Sequence, residues 1–168
     1  MKHKEVHPKF SEDRTVATIC GYKFNFVQKL EPERNEQKKI IELSPQYNYL
    51  NYDNLPLHTN GNGPFCRFKI NAKNVPGVYL WVVNSDIIYI GETANLKKRF
   101  NSGYGIISPR NCYVGGQSTN CKMNKVVLDM AKHNKDVKLY FCQTQDHERI
   151  EKELLISVKP IPKYNAKH

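Results

Sequence analysis

The sequence predicts an α+β fold, on two observations. The first is a tight antiparallel hairpin. Val78 to Val83 is apolar and β-branched, Asn84-Ser85-Asp86 has turn chemistry, and Ile87 to Ile90 is apolar again. The second is a pair of helical patterns around a further strand. Val127, Met130 and Ala131 recur at helical spacing within Asn124 to His133, and Val137 to Cys142 alternates as a strand. Ile150, Leu154 and Leu155 then share one face of a helix over Asp146 to Val158, with Asp146 at its N-cap.

The remaining elements follow in order. Residues 1–14 are polar and are expected to fray. Residues 15–29 alternate around Tyr22, Phe24 and Phe26 with Gly21 nearby, the pattern of a strand or hairpin. Glu31 to Leu43 is charged and carries Ile40, Ile41 and Leu43, which predicts a short amphipathic helix. Residues 44–64, rich in Asn, Pro, Gly and Tyr, read as an ordered loop, and Phe65 to Ile70 as a strand. Asn95 to Phe100 opens a helix capped by Thr93 or Asn95, and a long polar loop follows it. This divides the chain into an N-terminal extension, 1–70, packing on the core and in reach of DNA, and a domain over 71–168 with an inserted loop, 101–124.

The chain of 168 residues carries a net charge of +10. Residues 1–70 hold 11 basic and 8 acidic residues, a net of +3, and residues 71–168 hold 15 and 8, a net of +7. An excess of this size on one domain expects a polyanion, nucleic acid being the commonest. No apolar run is long enough to span a membrane. The basic stretch Met1 to Phe10 has no apolar segment behind it and does not read as a secretory signal. Cys20, Cys66, Cys112, Cys121 and Cys142 are odd in number and form no CxxC pair, so reduced, mostly buried thiols are expected rather than a zinc site. These features predict a cytoplasmic protein.

Two fragments carry the chemistry. "GVY" at 77–79 and "YIG" at 89–91 fall on the two strands of the hairpin, where Tyr79 and Tyr89 are able to share a face. Arg99 follows within "NLKKRF", Glu151 lies on a helix within "RIEKELL", and Asn165 ends "PKYN". Singly, each has a plain structural reading: two sheet tyrosines, a solvated helix face, a surface carboxylate and a tail residue. In this order and on these elements they resemble the GIY-YIG nuclease superfamily, over roughly residues 76–165.

The resemblance implies a small three-stranded antiparallel sheet flanked by helices, and hydrolysis of DNA phosphodiesters with a divalent metal, Mg²⁺ or alternatively Mn²⁺. It maps the two tyrosines to Tyr79 and Tyr89, the arginine to Arg99, the metal-binding carboxylate to Glu151 and the terminal asparagine to Asn165. Where the family often has His or Tyr four residues after the arginine, this chain has Gly103, with Tyr104 one residue later. The residue types suit the reaction. One carboxylate anchors a Mg²⁺ that keeps most of its waters. A guanidinium fork matches the non-bridging phosphate oxygens. A phenol becomes a base only beside a cation, for which Arg99, Lys97, Lys98 or the metal is available.

The inserted loop is the second informative stretch, since loops longer than ~12–15 residues in small domains are usually functional or disordered. Its Arg110, Asn111, Gln117, Ser118, Thr119, Asn120 and Lys122, with Lys97 and Lys98, form the candidate DNA-binding set. Arg, Asn and Gln read base edges, and lysines neutralise phosphates. The structural alternative is a surface loop whose Ser118 or Thr119 caps the next helix. A compact chain of this kind is most similar to the type II restriction endonucleases of the superfamily. Sequence-specific cleavage of double-stranded DNA is therefore expected, with a homodimer on DNA and a cognate methyltransferase as the partners this reading implies. The alternatives are a structure-specific repair or recombination nuclease and a DNA-binding module without catalysis.

Overall fold

The computed structural model describes residues 5–166. Two compact units share the chain, parting at Lys29/Leu30, Ile70/Asn71, Lys97/Lys98 and Lys135/Asp136.

The first unit takes the chain up to Lys29, Asn71–Lys97 and the chain from Asp136 onward. It holds one antiparallel sheet of β1 (Lys9–Phe10), β2 (Val16–Ile19), β3 (Tyr22–Lys29), β4 (Gly77–Val83), β5 (Asp86–Thr93) and β6 (Lys138–Gln143), in the order β1-β2-β3-β6-β4-β5. The sheet is six-stranded, which corrects the three-stranded expectation. The three expected strands do lie together as β6-β4-β5. The difference arises at β6, whose second edge is taken by β3 through Asn25↔Phe141 and Phe26↔Tyr140, so the N-terminal strands continue the sheet. Lys9–Phe10, expected to fray, pairs with Ala17 and Thr18.

The hairpin forms as the sequence predicts. Val83 faces Asp86 across two turn residues, and Asn84 takes a left-handed φ of 57°, a conformation Asn tolerates well. Alternate residues Val78, Leu80, Val82 and Ile90 face a core with Ala17, Ile19, Phe24 and Tyr140 of the other strands. Ile150 and Leu154 of helix α3 (His147–Ser157) complete it. Asp146 occupies the α3 N-cap position, though its carboxylate bonds Arg149 rather than the helix amides.

The second unit, Leu30–Ile70 with Lys98–Lys135, is built around α2 (Ser118–Lys132). No helix forms at 31–43. Lys38, at φ 62°, turns the chain, and Asn35 takes the Lys39 amide on its side chain. The apolar residues there serve bridges instead, Arg34↔Ile40 and Leu43↔Phe65. Phe65–Ile70 contributes that bridge and no regular strand. The polar loop is shorter than 101–124, because α2 starts at Ser118. The reason is buried polarity. Asn124 is fully buried, accepting from Cys66 N–H and donating to the carbonyls of Cys66 and Tyr104, while Asn120 is 1% exposed. Two asparagines on the buried face hide the helical periodicity from a hydropathy reading. A small apolar core of Phe65, Ile107, Cys112 and Cys121 lies beneath; all five cysteines of the chain are free thiols. Among the described residues, no helix is long and apolar enough to cross a membrane.

Candidate active site

The candidate residues fall on both units, and each set is described by itself. On the first, the β4–β5 register opposes Tyr79 to Gly91 and Trp81 to Tyr89. Tyr79, Trp81, Tyr89 and Gly91 therefore share the sheet face opposite to the one that packs on α3. Tyr79 and Tyr89 are diagonal neighbours, with ring centroids 6.4 Å apart, and Trp81 meets Tyr89 edge-on at 6.0 Å. The two motif fragments interlock at Gly91. A Cβ there would lie 2.5 Å from Cε2, Cζ and the hydroxyl oxygen of Tyr79. The ring of one motif thus fills the volume that the glycine of the other leaves vacant. Tyr79 is 1% exposed and Tyr89 is half-buried, so Tyr89 is the member of the pair that meets solvent.

At the other face of β5, Glu92 Oε2 is hydrogen-bonded to His147 Nδ1 at 2.5 Å. Glu151, one turn further along α3 from His147, is half-buried. Its carboxyl is pushed above the ordinary carboxylate value, first by burial and then by the negative charge of Glu92. Lys152 opposes this and Glu148 adds to it. Carboxylate oxygens such as those of Glu151 and Glu92 are the donors a divalent ion of this kind takes. No three His, Cys, Asp or Glu side chains among the described residues form a metal-ligand cluster. Glu92 was not singled out from the sequence. Its place directly after "YIG", in register with Ile90, was the available signal. The His147 side chain is only 16% exposed.

Asn165 has a defined task. Its Oδ1 accepts from Ile90 N–H and its Nδ2 donates to Ile90 C=O, both at 2.8 Å, and Tyr164 N–H donates to Ile88 C=O. The carboxamide imitates a further strand on the outer edge of β5 and holds the chain end against the "YIG" fragment. It acts on the site by positioning that strand. Asn165→Ala removes both bonds and should cost about 1–3 kcal/mol. Chemical denaturation measures the loss, and faster hydrogen exchange at the Ile90 amide localises it.

On the second unit, Arg99 closes helix α1 (Leu96–Arg99), and both terminal nitrogens of its fork are hydrogen-bonded. Nη1 donates to Asn120 Oδ1 at 2.8 Å, and Nη2 donates to the Tyr104 hydroxyl at 2.9 Å. The guanidinium carbon stands 4.1 Å from the centroid of the Tyr104 ring. Tyr104 is fully buried, so it holds Arg99 rather than presenting its hydroxyl to a substrate. Asn120, expected to contact DNA, is buried and turned inward to Arg99.

The rest of the expected DNA-binding set is placed as follows. Lys97 and Lys98 are exposed on α1, and Gln117 is exposed at the N-terminus of α2. Ser118 and Thr119 sit half-buried in the first turn of α2, without capping bonds from the N-cap residue. Arg110 turns back onto the carbonyls of Tyr113 and Val114, and Asn111 Oδ1 accepts from Gln117 N–H. Arg110 and Asn111 therefore brace the loop. Lys122 is half-buried, and burial pulls its ammonium below the ordinary lysine value.

Comparison with known proteins gives one partial similarity. A 64-residue stretch is 31% identical to "Endonuclease II" of Enterobacteria phage T4, covering 36% of this chain and 42% of that protein. The chain thus matches less than half the length of this relative. No protein-family model and no solved structure matches the chain.

Proposed function

We propose that this chain is a DNA endonuclease that hydrolyses phosphodiester bonds with a divalent metal, Mg²⁺ or Mn²⁺, and that it cuts duplex DNA at specific sequences in the manner of a type II restriction enzyme. The observation that carries the reading is the interlock of Tyr79 with Gly91, which joins the "GVY" and "YIG" fragments into one feature. The partial similarity to a phage endonuclease supports the nuclease class, and the net charge of +10 suits a polyanionic substrate.

Each residue has a role its surroundings allow. Tyr89 orients the attacking water through its hydroxyl, and Tyr79 stands behind it as its partner. Arg99, held by Asn120 and Tyr104, brings its guanidinium charge to the phosphate oxygens, charge to charge. Glu151, with Glu92 beside it, would hold the metal, which when bound supplies Lewis-acid stabilisation of the leaving oxygen. Lys97 and Lys98 add sequence-independent attraction to the backbone. The sequence-specific reading brings with it a homodimer on DNA, a cognate methyltransferase and a cytoplasmic location.

Purified protein incubated with plasmid and Mg²⁺ should give discrete bands with a common end sequence. A smear, or cutting confined to branches and flaps, would assign the protein to structure-specific repair. Binding with no cutting in Mg²⁺ or Mn²⁺ would make it a binding module. Tyr79→Phe and Tyr89→Phe should each slow the single-turnover chemical step by roughly 10²-fold or more with the fold intact. Unchanged cleavage in both variants would remove the tyrosine hydroxyls from the reaction.

A further inference from the structure

Asn120 is 1% exposed, and both ends of its carboxamide are hydrogen-bonded. A guanidinium has donors and no acceptor, so Arg99 Nη1 requires the oxygen of the Asn120 carboxamide to face it. The amide nitrogen of Asn120 must then point the opposite way, where it meets Gln117 Oε1 at 2.6 Å. That bond in turn uses the acceptor of Gln117 inward and leaves the Gln117 NH₂ as the outward group of an exposed side chain. The direction of every bond in the chain Arg99, Asn120, Gln117 is fixed from its charged end.

We propose that this chain is a relay, resting on the nuclease reading, in which Asn120 is a positioning residue that aims Arg99 and Gln117 is its sensor for DNA. Gln117 turns its donor group outward, its oxygen being engaged by Asn120. It therefore docks on an acceptor group of the duplex. Docking there stiffens Asn120 and with it the Arg99 fork, so substrate engagement reaches the phosphate-binding group through two hydrogen bonds. Gly103 supports the arrangement. A Cβ at 103 would stand 3.5 Å from Arg99 Nη1 and 3.6 Å from both carboxamide atoms of Asn120. A longer side chain at 103 would compete for the place from which Asn120 holds the guanidinium.

The test uses the full chain labelled with ¹⁵N, a short duplex carrying the cut site, and single-turnover kinetics. Asn120→Ala should lower the chemical rate by roughly 10–100-fold, the scale of a misplaced catalytic group, while duplex affinity is kept. Its Arg99 Nη resonances should lose the restricted rotation they show in the wild type. Asn120→Asp keeps the acceptor for Arg99 and loses the donor to Gln117, so the restricted Arg99 signals should return. This separates positioning from a general loss of α2 structure. Gln117→Met should slow the chemical step less than Asn120→Ala does, and the double variant should be no slower than Asn120→Ala alone.

Multiplying rate losses, an affinity loss without a rate loss in Asn120→Ala, or Arg99 signals indifferent to Asn120 would each overturn the relay. If the wild-type protein cuts no DNA, the nuclease reading fails by itself. The Arg99 resonances of Asn120→Ala and Asn120→Asp then still decide the positioning role, unchanged signals in both refuting it.

Discussion

Glu151→Gln should abolish DNA cleavage and at the same time raise thermal stability at neutral pH. The two effects have one cause. Burial and the charge of Glu92 push the Glu151 carboxyl above its ordinary value, so the folded state holds this proton more tightly than the unfolded chain does. A carboxyl raised in this way costs nothing below the ordinary carboxylate value. The cost enters as pH climbs from that value through the raised one.

Glutamine keeps the shape and removes the charge. The melting temperature of the variant should therefore exceed that of the wild type at neutral pH, and the two should converge in acid. A bound divalent cation cancels the same cost. Mg²⁺ or Mn²⁺ should thus raise the wild-type melting temperature and leave that of Glu151→Gln unmoved. Cleavage should fall by ~10³-fold or more, the several kcal/mol that metal stabilisation of the leaving group supplies. A variant that still cuts, or that melts with the same metal response as the wild type, would place the metal elsewhere.

The residues legible from the sequence were those whose environment is local. The β4–β5 hairpin announces itself by β-branched runs around an Asn-containing turn, and α3 by Ile150, Leu154 and Leu155 on one face. The diagonal of Tyr79 and Tyr89 follows from strand alternation alone. What escaped depends on partners far along the chain. Lys9–Phe10 is a strand because Ala17 and Thr18 accept it, and β3 extends the sheet because β6 has an edge to cover. Glu92 meets His147 across 55 positions. The start of α2 was obscured for another reason. Asn120 and Asn124 are buried polar groups with every bond supplied, and a polar residue in a run of Gln, Ser and Thr reads as loop surface until its partners are known.

Gly91→Ala should lower both the stability of the sheet and the cleavage activity. Gly to Ala within a strand ordinarily stabilises, because glycine loses more backbone freedom on folding. Here the new methyl would overlap three atoms of the Tyr79 side chain at 2.5 Å, a separation real Cβ atoms do not sustain. Tyr79 is 1% exposed, so its ring has little room to swing clear. Overpacking of this kind costs about 1–3 kcal/mol, and the displaced ring carries its hydroxyl away from Tyr89. Stability and cleavage should fall together.

The double variant separates the clash from any intrinsic preference for glycine. Tyr79→Ala empties the space over residue 91, so adding Gly91→Ala to it should cost nothing further in stability, while activity stays lost with the tyrosine. A thermodynamic cycle of the four proteins, measured by urea denaturation, should return a coupling energy close to the whole cost of Gly91→Ala. Independent, additive effects would mean that the glycine is not there to seat the Tyr79 ring, and the interlock of the two motif fragments would lose its physical basis.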